Sequence, residues 1–358
     1  MMITFPRMGP LHVVLAGLLA DLGAGVVVPP PVSKETLEIG TKYSPETACL
    51  PFKIGIGNFI QAIEQGADTV ITCGGVGPCR LGYYAEVQKN ILQELGYRAE
   101  FLVVEPSAAS VWRTLKRLAG GRSWRQVAGA FRLAGAKLAA LDELERAVCY
   151  VRPREARPGQ GDAVRDQAVR ELERAGSAAA VGKIAEEYRA ALAGVPTDKA
   201  AEPLKVGLVG EIYVMLEPYV NQDIMRRLGR LGVEVRPTLL LGDYVRTHVL
   251  RNYRSVRCAA DITAKAARYL AHPVGGHGVK SIGHAVAMGQ ERYDGMVHVF
   301  PFTCMPEVIA RNILPKVSRE EGLPVLSLAF DEQSGEAGIA TRLEAFVDLL
   351  GYRRSRLS

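Results

Sequence analysis

The feature that most constrains this chain is an alternation of short apolar runs with helix-periodic segments over its first hundred residues. "MITF" reads as a strand, "PLHVVLAGLLADLG" as a helix closing on glycine, and "AGVVVPP" as a second strand. "KIGIGNFIQAIEQG" repeats apolar residues at helical spacing, "ADTVITC" is a strand, "YAEVQKNILQELG" a helix and "RAEFLVVEP" a strand. Strand–helix–strand alternation predicts a parallel sheet covered by helices on both faces, and ligands gather beyond the carboxyl ends of such strands. Cys73 sits at one of those ends.

The pattern stops at about residue 106 and resumes at "LKVGLVGEIYV", residues 204–214. From there "QDIMRRLGRLGVEVRPTLLL" is a helix then a strand, "YDGMVHVFPFTCMPE" a strand ending in a cysteine loop, "LPVLSLAFDE" a strand, and "TRLEAFVDLLGY" a helix. Residues 107–203, rich in Ala, Arg, Glu and Leu, read as helices. The expectation is therefore an α/β protein: a domain over 1–106, a helical linker or cover over 107–203, and a second domain over 204–358. The two halves follow similar plans, compatible with divergent duplication or with two unrelated domains of a common kind.

The net charge of +6 in 358 residues comes from one place. Arg113 to Arg170 holds 13 Lys+Arg against 6 Asp+Glu, a net of +7, which reads as a solvated helix surface or a local basic face. Sparse aromatics, 7%, argue against base stacking and so against a nucleic-acid partner. The apolar stretch 11–29 is interrupted by Asp21 and has no preceding positive cluster, so it reads as a core helix entering a strand, neither export signal nor membrane anchor. The expected compartment is the cytoplasm, where six cysteines point to metal or redox chemistry before disulfides.

Four of those cysteines fall at expected element boundaries: Cys49 before a helix, Cys73 and Cys79 around "CGGVGPC", and Cys304 between a strand and a helix. Helix N-termini and glycine-exposed N–H groups favour thiolate, and Gly74, Gly75 and Gly77 would let the backbone approach an anionic cluster and hydrogen-bond its sulfides. No pair has the two-residue spacing of a zinc knuckle. Dispersed spacing suits an iron–sulfur cluster better, with buried thiols acting as small apolar residues as the competing reading. Cys149 and Cys258 lie in helical or apolar patterns, where that second reading is preferred.

"SPETACLPFK", "CGGVGPCRLGYY" and "PFTCMPE", with "VGEIYVMLEPYVNQDI", "VGGHGVKSIG" and "FDEQSGEAGIATRLEAFVDLL", together resemble the 2-hydroxyacyl-CoA dehydratase component and activase-related family. That family includes the double-cubane cluster proteins. The resemblance runs over residues 1–106 and 204–350. It implies Rossmann-like domains and an iron–sulfur cluster, 4Fe–4S or double cubane, with Cys49, Cys73, Cys79 and Cys304 as its ligands. It also implies an ATPase activator protein that delivers a low-potential electron, other dehydratase-family subunits as partners, and reductive chemistry on an acyl-CoA thioester through a ketyl radical. A cluster-bearing scaffold or electron-transfer subunit is the alternative. No catalytic residue is nominated.

Among the remaining candidates, His277 and His284 stand beside the glycines of "VGGHGVKSIGH", either contacting a ligand or belonging to a turn that enters a helix. His298 reads as a satisfied core histidine, and Glu307 as a helix cap or a neighbour of Cys304. Glu46 and Arg80 adjoin cysteines and could tune local charge. "VGLVGE" lacks the Lys-Ser/Thr ending of a phosphate-binding loop, so the chain itself is expected not to hydrolyse ATP.

Overall fold

The computed structural model describes residues 1–75, 77–105, 108–198 and 200–357, with backbone alone at 108, 109 and 357. The chain forms two compact units: Met1–Leu138 with Leu172–Val181, and Ala139–Glu171 with Gly182–Ser358. Three middle helices, α6 (Trp124–Val151), α7 (Gln160–Arg174) and α8 (Ala178–Ala193), are shared between these units.

In the first unit, β1 (Met2–Thr4), α1 (Leu11–Asp21), β2 (Gly25–Val26), α2 (Lys34–Tyr43), α3 (Leu50–Glu64), β3 (Thr69–Cys73), α4 (Leu81–Glu94), β4 (Glu100–Val104) and α5 (Ala108–Ala119) follow one another. The strands form one parallel sheet in the order β2-β1-β3-β4, with Ile3 opposite Val26 and Thr69, and Cys73 opposite Val104. Alternate side chains serve opposite faces. Val70 packs among Phe52, Ile56, Phe59 and Leu92 from α3 and α4, whereas Ile71 and Leu102 pack with Ile3, Leu19 and Leu118 under α1 and α5. The apolar stretch 11–29 is thus a core helix and a strand, and among the described residues no helix is long and apolar enough to cross a membrane.

The second unit repeats this order. Its elements are β5 (Leu204–Gly210), three short helices α9 (Ile212–Leu216), α10 (Pro218–Asn221) and α11 (Ile224–Arg230), β6 (Val233–Pro237) and α12 (Leu241–Tyr244). A π-helical turn (Val245–Val249) leads to α13 (Tyr253–Ala266), α14 (Gly278–Gln290), β7 (Gly295–Pro301), α15 (Met305–Glu321), β8 (Val325–Phe330) and α16 (Glu336–Leu357). The sheet is parallel, in the order β6-β5-β7-β8. Both units therefore have a first strand whose neighbours lie on either side of it, the switch point at which open α/β sheets bind ligands. This is the expected α/β architecture of two Rossmann-like units.

Glycine permits the same close approach in both. A Cβ on Gly57 of α3 would stand 2.0 Å from the Thr36 carbonyl oxygen of α2, and one on Gly283 of α14 would stand 2.0 Å from the Ile262 carbonyl of α13. The basic segment 113–170 is not simply a solvated surface. In the second unit Arg152, 6% exposed, lies between Asp162 (2.7 Å) and Glu145 (3.4 Å), Arg154 pairs with Glu234, and Arg146 with Asp243.

Candidate functional site

Three of the four nominated cysteines reach the same end of the first sheet. Cys73 closes β3, Cys79 lies in the loop after it, and Cys49 N-caps α3, which runs back along the sheet to enter β3. Tyr84, on the first turn of α4, stacks edge-on against Phe52 and hydrogen-bonds the Cys49 sulfur. Burial first, then the negative charge of Cys49, holds its phenol well above the usual range, with Cys79 adding to this and Arg80 opposing it. Tyr84 therefore ties the start of α4 to Cys49. Arg80 also donates to the Thr47 carbonyl at 3.0 Å, tying the cysteine loop to the segment before α3, while Glu46 is exposed. Cys73 stands exposed at the strand end, yet surrounding protein pushes its thiol pKa up.

The glycines of the loop divide by role. Gly74 donates to the Val104 carbonyl, and a Cβ there would meet Val103 at 2.9 Å, so packing against β4 accounts for it. Gly77, at φ +119°, has open space around it and needs glycine for its conformation. Gly75 faces Gly82, where a Cβ would come 2.6 Å from the Gly75 carbonyl oxygen; this fold-back brings Cys79 to α4.

Cys304 belongs to the second unit, where it N-caps α15 three residues beyond β7. Beneath it lies a buried polar group. His298 of β7, fully buried as expected of a core histidine, meets Ser327 at 3.2 Å and Glu307 at 2.9 Å. Glu307 is thus not the helix cap that the sequence suggested: its carboxylate turns inward from the first turn of α15 to the imidazole, and its Oε1 is buried without a partner among the described residues. Glu211, after β5, accepts from the Val214 N–H, and burial pushes its pKa up to about 7 despite that bond, with Glu307 contributing. Gly210, at φ +144°, makes the junction possible, since a Cβ would lie 1.8 Å from the Val299 carbonyl oxygen.

A cavity of about 530 Å³ opens in this unit beyond the carboxyl ends of β5 and β6. One stripe of α14, His277, Lys280, Ser281 and His284, forms one wall, at the three- and four-residue spacing of a helix face. Arg254, Cys258 and Ile262 of α13 line another, and His248 enters from the π-helical turn. Such turns recur at functional sites. The Tyr244 carbonyl, 3.2 Å from His248 Nδ1, can only accept, so Nδ1 carries the proton and Nε2 receives the Lys280 ammonium at 3.0 Å. Burial, then the Lys280 charge, lowers the pKa of all three imidazoles, His277 to about 3 and His284 to about 4. Burial lowers Lys280 as well.

None of the six cysteines is in a disulfide. Cys149 is the buried thiol that its context predicts, pushed up to about 12 by burial, with Arg152 3.6 Å from its sulfur. Cys258 departs from that reading: it is exposed and lines the cavity. The sequence pointed to His277 and His284, whereas Lys280, Ser281, His248 and Arg254 carried no local signal.

Among the described residues, no three His, Cys, Asp or Glu side chains converge on a single-ion site. A cube, unlike one ion, takes its thiolates at separate corners, and the donor chemistry at the first sheet suits one: sulfur ligands, a helix N-terminus at Cys49 and an open glycine turn at Gly77. No protein-family model matches this chain, and no curated protein matches it.

Proposed function

We propose that this chain is an iron–sulfur protein that takes a low-potential electron from an ATPase partner for reductive chemistry on an acyl-CoA-type substrate. The observation that carries the reading is the placement of Cys49, Cys73 and Cys79 at one end of the first sheet, with the Tyr84 hydroxyl bonded to the Cys49 sulfur. Cys49, Cys73 and Cys79 would hold the cluster. Bound there, it would supply one electron at low potential.

The residues of the chain have separate tasks. The N-terminal end of α3 stabilises a thiolate at Cys49. The Tyr84 hydroxyl, its phenol held protonated, donates to that sulfur, and such hydrogen bonds tune a metal site. Arg80 fixes the loop carrying Cys79 and adds positive charge nearby.

Electron paramagnetic resonance of anaerobically purified, dithionite-reduced protein tests this reading. The expected result is the signal of a reduced cube, perturbed when acetyl-CoA is added. A cluster signal indifferent to acyl-CoA would leave the electron-transfer subunit, and no signal in folded, air-free protein would overturn the proposal.

A further inference from the structure

We propose that the cavity of the second unit binds a small organic molecule carrying a phosphate-type dianion, held by Lys280 and Arg254 with the His277 and His284 rings donating. This inference concerns the second unit alone and does not depend on a cluster in the first.

The charge inventory comes first. Four cationic side chains line the cavity, and two are committed: Arg146 pairs with Asp243 at 2.7 Å, and Arg236 bonds the Tyr293 hydroxyl at 2.8 Å with Glu291 3.8 Å away. These are the acids of the lining, so each carboxylate is already answered. Among the described residues, Lys280 hydrogen-bonds only the neutral His248, and the Arg254 guanidinium has no ion-pair or hydrogen-bond partner. Two positive charges therefore remain, which a dianion balances and a monocarboxylate does not.

Lys280 stands in the first turn of α14, half-buried beside the cavity with no carboxylate among the described residues to answer it. His277 and His284 are neutral, and their ring nitrogens have no partner among the described residues, so each offers an N–H without adding charge. The cavity far exceeds a bare phosphate, and its apolar remainder, including Ile262, Leu239 and Met288, accommodates an organic group.

The test is calorimetric titration of the full chain with phenyl phosphate and with benzoate at pH 7.5, followed by histidine ring NMR. The expected result is saturable phenyl phosphate binding roughly tenfold or more tighter than benzoate, with the His277 and His284 resonances shifting as it binds. Lys280→Met should weaken phenyl phosphate roughly tenfold, and Arg254→Ala roughly threefold to tenfold. Arg254 is exposed, so its variant remains informative even if Lys280→Met fails to fold. Equal affinity for benzoate would reassign the site to carboxylates and overturn the proposal. Binding unchanged in Arg254→Ala, or no saturable shift of either histidine at millimolar phenyl phosphate, would overturn it as well.

Discussion

Cys49 and Cys304 occupy the same local position in two separate folding units: each N-caps a helix in extended backbone conformation, and each is followed two residues later by proline. Proline in the first turn forgoes an N–H that has no acceptor there, so Cys-x-Pro starts a helix cleanly with the thiol at its positive end. The helices differ in order, α3 entering the third strand of its sheet and α15 leaving it. His277 holds the N-cap of α14, the counterpart of α3. Where the first unit places sulfur ahead of its third strand, the second places neutral imidazole.

The depressed histidines make the second unit sensitive to acid. A histidine whose folded pKa lies below 6.5 is protonated first in the unfolded chain, so its stability contribution is present at neutral pH and is lost as pH falls toward about 3 for His277 and about 4 for His284. At pH 5 each costs about 2 kcal/mol. In phosphate-free buffer, both rings should stay neutral by NMR down to about pH 5, and His277→Gln should flatten the acid limb of denaturant stability.

Glu211 acts with the opposite sign. Its carboxyl binds its proton more tightly folded, near about 7, than unfolded, near 4.5, so stability is lost as pH rises between those values and the full cost persists above them. That cost is on the order of 3 kcal/mol. Glu211→Gln keeps an acceptor for the Val214 N–H and should gain on the wild type between pH 5 and pH 8 in urea unfolding. Equal shifts at both values would contradict the assignment.

Arg152 is the buried cation that Glu145 and Asp162 require. Arg152→Met nearly preserves volume and leaves each carboxylate one cation, Arg165 3.1 Å from Glu145 and Arg226 3.2 Å from Asp162, and should cost about 1–3 kcal/mol. A change under about 1 kcal/mol in urea unfolding would show the network to be solvated.

Close helix crossings yield a paired test. Gly57→Ala and Gly283→Ala each drive a methyl against a carbonyl oxygen and should destabilise by about 1–3 kcal/mol or more. Gly129→Ala, in α6 with nothing within 4 Å of the new carbon, should instead stabilise by up to about 1 kcal/mol. Thermal melts of the three variants decide it.

The sheets were legible because parallel strands buried on both faces are nearly continuous apolar runs, as in Gly295–Pro301, where every residue is buried. The helix ends at Gly23 and Gly96 and the cysteine boundaries at 73 and 304 were equally plain. The helix α2 was not, since Lys34–Tyr43 carries its core contact on few residues: Thr36 is buried and Gly40 sits against the Lys53 carbonyl. Glu307 misled because a carboxylate in a first turn looks like a cap, and only the fold brings His298 beneath it. The cavity was illegible for a topological reason. Its walls come from residues 146, 210, 236–239, 243–262 and 277–293, joined by β6, the π turn and two helices packed through Gly283.

The central claim is tested most directly by iron and acid-labile sulfide content after anaerobic purification, in wild type and in Cys73→Ala. The account predicts about four of each per chain in the wild type, lost in the variant. About eight of each would indicate a double cubane and bring Cys258, which lies exposed, into question as a ligand. Neither iron nor sulfide, in folded protein kept from air throughout, would contradict it.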